Sequence, residues 1–118
     1  MRLLSFICLL LALCVAGRAE AYDSSTRYLY EMCKNESTLG VCVGYVAAVG
    51  EFMETMGIYK KQGHPDVAQF SICMPEPTPS HATITQVFVN WAQAHPEAWS
   101  QLQLSSVIIA LREKWPCP

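Results

Sequence analysis

The chain opens on an unbroken apolar run, Leu3 to Ala16, which holds 14 residues without a charge behind Met1 and Arg2. That is too short to cross a bilayer, which takes about 20 residues. A basic start, an apolar stretch of this length and small residues at Ala19-Glu20-Ala21 are the three parts of a secretory signal peptide. Residues 1–21 are therefore expected to be a cleaved leader, with cleavage after Ala19 or Ala21, and residues 22–118 the exported domain. A lipid-attachment signal at Cys14 fits poorly, because Leu13 stands where Gly, Ala or Ser is wanted.

Beyond the leader the pattern turns helical. A short segment from about Ser25 to Lys34 puts Leu29, Met32 and Cys33 on one side, with Ser24 or Ser25 as N-cap. From Val41 to Met56, apolar residues at Cys42, Tyr45, Val46, Val49, Met53 and Met56 follow the i, i+3, i+4, i+7 spacing of a helix buried along one side. Gly57 stands where a C-cap belongs. Gly44 and Ala48, four apart, either leave room for another helix to approach or simply make space in the core.

Periodicity fails between Gly57 and Ala82, where Gly63, Pro65, Pro75, Pro77 and Pro79 mix with Lys60, Lys61, His64 and Asp66. The stretch is either a plain linker or carries a short helix around Asp66 to Ser71, and connections this long are often functional. Thr83-x-x-Gln86 reads as a capping box opening a helix with Ile84, Val87, Phe88 and Trp91 on its apolar side, which stops at His95-Pro96. Glu97 follows, where negative charge suits the positive end of the next helix. A last stripe runs Leu104, Val107, Ile108, Leu111, Trp115 and ends at Pro116. No segment alternates with period two for long, so the fold class is all-α, a small bundle of four or five helices.

Composition narrows the function. The full chain has a formal charge of -2; without the leader it is -3, with 6 basic against 9 acidic residues over 97 positions. Neither nucleic acid nor an anionic membrane surface is attracted by such a domain. Removing the leader also removes Cys8 and Cys14 and leaves Cys33, Cys42, Cys73 and Cys117, an even set that reads as disulfides in an exported protein. Three pairings are open. Local geometry favours Cys33 with Cys42, across the polar turn Asn35 to Gly40, and hence Cys73 with Cys117. On the chain-entropy account these loops are worth roughly 2.7 and 4.0 kcal/mol.

Catalysis needs a nucleophile, a base and an orienting group brought together. Here the cysteines are better used as disulfides, and His64, His81 and His95 sit beside Pro or in loops. Neither C-x-x-C nor H-x-x-x-H occurs, so no metal and no other cofactor is expected. His81 and His95 read as helix-start residues. Trp91, Trp99 and Trp115 are spaced as core positions. What these residues describe is a binding protein, not an enzyme.

A run of short motifs then resembles the Tai and Rap family of type VI secretion immunity proteins. The landmarks are Cys42-x-Gly44-Tyr45-Val46, Cys73-x-Pro75, Thr83-x-x-Gln86, His95-Pro96-Glu97 and Ala110-Leu111-x-x-x-Trp115-Pro116-Cys117, in that order. With Cys33 they cover nearly the whole exported chain. Glu51, where an aspartate is expected, and Trp115, in place of a smaller aromatic, depart from the pattern. The resemblance implies a small helical protein of the bacterial periplasm, commonly a homodimer, that binds and blocks a peptidoglycan amidase effector delivered by sister or neighbouring cells. Such inhibition takes a plug and no chemistry. The long connection is the natural place for it, with Tyr59, Lys60, Lys61, His64 and Asp66 as the expected contacts. A small periplasmic chaperone is the alternative.

Overall fold

The computed structural model describes residues 22–118. The expected leader, with Cys8 and Cys14, lies outside the described residues. Four α-helices form the domain: α1 (Thr26–Lys34), α2 (Leu39–Lys61), α3 (His81–Ala94) and α4 (Gln103–Lys114). Two 3-10 helices, Pro65–Phe70 and Pro96–Ala98, lie between them. Among the described residues there is no strand, only an isolated antiparallel bridge pairing Ser25 with Leu102. The domain is the all-α bundle expected, stapled by Cys33–Cys42 and Cys73–Cys117.

Helix α2 is the axis of the bundle, packing on α1, α3, α4 and the first 3-10 helix. Its inner side sends Cys42, Val46, Met53 and the backbone at Gly50 and Gly57 into a core completed by Leu29, Ile72, Ile84, Phe88, Val107 and Leu111. The buried Thr26 hydroxyl bonds the Ser106 hydroxyl at 2.6 Å, joining α1 to α4. The short α1 is held at its start by Ser25, whose Oγ accepts the Tyr28 amide.

The helix ends differ from expectation in two places. Helix α2 does not stop at Gly57 but continues to Lys61, and the residue that ends it is Gly63, at φ +97°. The Gly63 amide bonds the Lys60 carbonyl and the His64 amide bonds the Tyr59 carbonyl, which is the paired bonding of a Schellman motif. Gly57 serves a different purpose. The segment after the first 3-10 helix crosses α2 there, with the Ile72 amide bonded to the Met53 carbonyl at 3.1 Å. A Cβ on Gly57 would collide with the Ile72 carbonyl oxygen.

Thr83 is likewise not a cap. Helix α3 begins at His81 behind Ser80, whose Oγ accepts the Thr83 amide at 3.2 Å, and Gln86 turns forward to Asn90 instead of back to the helix start. His81 is indeed a helix-start residue, whereas His95 closes α3: its ring stacks on Trp91 with centroids 4.4 Å apart, and its Nδ1 lies 2.8 Å from the Trp91 carbonyl. Of the tryptophans, Trp115 is buried; Trp91 and Trp99 are half-buried and spend their N–H groups on Glu113 and the Ala92 carbonyl. In the last stripe Val107 and Leu111 are buried, but Leu104 faces out.

Candidate partner-binding site

The five residues expected at a plug belong to one end of the molecule. Tyr59, Lys60 and Lys61 form the last turn of α2, not a loop; His64 follows the Gly63 turn, and Asp66 sits in the first turn of the 3-10 helix behind Pro65. The helix runs on through these three because nothing interrupts its backbone bonding before Gly63. All but the half-buried Lys60 are exposed. Tyr59 and His64 meet edge to face with centroids 6.0 Å apart, which links the helix end to the turn.

This end is braced from behind. The Lys60 ammonium donates to the Pro118 carbonyl at 3.1 Å, and the Cys73 amide donates to the Trp115 carbonyl at 3.0 Å. The Cys73–Cys117 disulfide locks the crossing segment to the tail. Bracing of this kind lowers the entropic cost of any binding at this end. Beside it opens a cleft of about 670 Å³, lined among others by Lys60, Gln69, Arg112 and Glu113. Both signs of charge are thus present, as at the polar rim of a protein interface.

A second surface was only hinted at by the sequence. The outward side of α2 carries Val41, Gly44, Tyr45, Ala48 and Phe52, with no charge among them. Val41 is 62% and Phe52 51% exposed. Of these, Tyr45, Ala48 and Phe52 line an apolar groove of about 380 Å³ together with Val49, Phe70, Leu104 and Ile108. The Gly44–Ala48 pair is therefore surface and not core space; nothing lies within 4 Å of where a Gly44 Cβ would stand. A helix apolar on both sides usually has both sides covered. Helix α2, 23 residues long, holds an 18-residue window with a mean hydropathy of 1.3, enough by length and composition for a membrane span. Its inner side, however, is committed to the protein core.

All four described cysteines are in disulfides, and among the described residues no group of His, Cys, Asp and Glu gathers in a way that could hold a metal ion. His81 meets only Glu51, at 3.3 Å on the surface. The domain is a helical bundle stapled by two disulfides. The model of the family described as Rap1a immunity proteins matches residues 25–117. The chain belongs to that family. No curated protein and no solved structure matches it significantly.

Proposed function

We propose that this protein is exported to the periplasm by a leader over residues 1–21 and there binds and inhibits a type VI secretion effector that is a peptidoglycan amidase. The producing cell is thereby protected from its own and its sisters' toxin. The family match over residues 25–117 carries this reading. Two disulfides suit the oxidising periplasm, and the order of motifs from Cys42 to Cys117 supports the choice of amidase.

Inhibition in this reading is steric. The tip formed by Tyr59, Lys60, Lys61, His64 and Asp66 enters the active-site groove of the amidase and excludes its peptide substrate. Protection at low protein levels calls for a nanomolar complex, about -12 kcal/mol, which an interface of about 1,600 Å² supplies when a few residues anchor it. The uncharged outer side of α2 is left free by this arrangement. We assign it to a homodimer, in which Phe52 of one copy seats over Gly44 and Ala48 of the other.

The test is affinity capture on the tagged protein, expressed as the full chain in effector-producing cells. Mass spectrometry identifies the prey, and a peptidoglycan hydrolysis assay reads its activity. One amidase, bound stoichiometrically and silenced, is the expected result. A broad set of weakly held, unfolded clients would overturn it in favour of a chaperone.

A further inference from the structure

The two disulfides stand in opposite surroundings. Cys33 and Cys42 are 8% and 0% exposed, and both belong to the hydrophobic core where α1 meets the start of α2. Cys73 and Cys117 are half-buried and lie outside the helices, Cys73 on the segment that crosses α2 and Cys117 on the tail beyond α4. Cys117 also lines the cleft of about 670 Å³, beside Lys60, Ser71, Arg112 and Glu113. One bond is sealed into the packing, and the other borders an open cleft.

Exchange of a disulfide begins when a thiolate reaches one of its sulfurs, so access decides which bond reacts. The cleft is wide enough to admit a small thiol. Lys60 and Arg112 in its wall favour the approach of an anion, while the carboxylate of Glu113 in the same wall accepts the Trp91 indole N–H at 2.9 Å. The tail itself is lightly held. Among the described residues, the chain beyond Trp115 takes part in one hydrogen bond, from the Lys60 ammonium to the Pro118 carbonyl at 3.1 Å. Segments with so few ties open locally at low cost, without unfolding of the domain.

We infer that the Cys73–Cys117 disulfide is a site of thiol–disulfide exchange with a dithiol reductant, and that Cys33–Cys42 is inert. A thiolate of the reductant attacks the Cys117 sulfur, a mixed disulfide forms there, and Cys73 leaves as a thiolate that takes up a proton. The second thiol of the reductant then displaces the Cys117 thiolate, which is protonated in turn, and closes the reductant's own disulfide. Two electrons pass from the dithiol, which is oxidised, to the protein disulfide, which is reduced to two thiols. The bond is the covalent one among the ties behind the end of α2. Once it opens, the crossing segment keeps only hydrogen bonds, Ile72 amide to Met53 carbonyl at 3.1 Å and Cys73 amide to Trp115 carbonyl at 3.0 Å, and it loosens while the packed helices stay in place. This chemistry rests on burial and bonding alone and holds whatever the protein inhibits.

The experiment exposes oxidised protein, purified from cells expressing the full chain, to dithiothreitol for graded times. Free thiols are trapped with N-ethylmaleimide and located by mass spectrometry. Cys73 and Cys117 should be trapped at least about tenfold faster than Cys33 and Cys42, with the helical circular dichroism intact while only the first pair is open. Trapping of all four together, trapping of Cys33 and Cys42 first, or loss of helix in step with the first pair overturns the inference. With the monothiol glutathione the reaction halts at the mixed disulfide, and the adduct is expected on Cys117; an adduct on Cys73 overturns the choice of sulfur. In protein trapped with only the first pair open, hydrogen exchange at the Ile72 and Cys73 amides should rise about tenfold or more while the amides of α3 keep their protection. Unchanged exchange at Ile72 and Cys73 would overturn the loosening of the crossing segment.

Discussion

The two sides of α2 use the same residue type for opposite ends. On the inner side Gly57 and Gly50 face neighbours at close range: the Ile72 backbone crosses Gly57, and the Ile84 Cγ2 would sit 3.3 Å from a Cβ on Gly50. On the outer side Gly44 faces nothing within 4 Å. The inner glycines are required by the fold of one chain. Gly44, like Gly40, costs helix stability and makes no close contact within the monomer, and the proposed homodimer would use the space at Gly44. Three positions in one helix thus separate what builds the domain from what the domain offers to partners.

That contrast can be broken by substitution, most strongly at the crossing. Gly57→Ala drives a methyl into the Ile72 carbonyl, and either α2 or the segment leading to Cys73 must move. We expect a loss of about 3 kcal/mol or more, read as a fall in the urea midpoint. Gly50→Ala meets only side chains, Ile84, Met74 and Leu111, which can adjust; the overpacking should cost about 1–2 kcal/mol. Gly44→Ala should reverse the sign and raise monomer stability by about 0.5–1 kcal/mol through helix propensity. A loss at Gly44 larger than that at Gly50 would sink the distinction between the two sides.

Smaller effects sharpen it. Phe52→Lys should leave the monomer within about 0.5 kcal/mol of wild type, as exposed substitutions do. The proposed homodimer predicts that in sedimentation velocity the wild type should run as a dimer and the same variant as a monomer. The smallest effect is at Tyr45, whose phenol is held above the ordinary value of about 10 chiefly by burial. A raised folded value means that its contribution is complete below pH 10 and is lost as pH rises through the folded value. Ultraviolet titration should show one phenol ionising later than the exposed tyrosines.

How far the residues announced this structure depends on what each signal reports. Helices were legible because their buried sides repeat at helical period, as with Ile84, Phe88 and Trp91 in α3. The disulfide pairing was legible because Cys33 and Cys42 flank one polar turn. Helix ends were not, since a glycine reports only the absence of a Cβ: Gly57 lacks one for the sake of Ile72, Gly63 for a positive φ, and in sequence the two look alike. Thr83 was mistaken for a cap because Ser80, which caps α3, has no Glu or Gln three residues on. The expected contact residues were read as part of one long connection, whereas the structure puts Tyr59, Lys60 and Lys61 in the last turn of α2 and only His64 and Asp66 beyond it.

The outer side of α2 was hardest to read. Val41, Tyr45 and Phe52 are as apolar as any core residue, and a stripe that waits for a partner cannot be told from one that faces the core without knowing where the other helices lie. Leu104 shows the same ambiguity from α4: it keeps the spacing of Val107, Ile108 and Leu111 yet is 48% exposed beside Phe52 and Phe70.

The most direct test of the account is a titration of peptidoglycan hydrolysis by the captured amidase with three forms of the protein: wild type, Phe52→Lys, and a tip variant combining Tyr59→Ala, Lys61→Glu and His64→Ala. These tip side chains are exposed and should leave the helical circular dichroism unchanged. Wild type should silence the enzyme at one equivalent, and the tip variant should need about a hundredfold more, since loss of a few anchors removes a few kcal/mol. Full inhibition by the tip variant, with inhibition lost instead in Phe52→Lys, would contradict the account and move the effector to the outer side of α2.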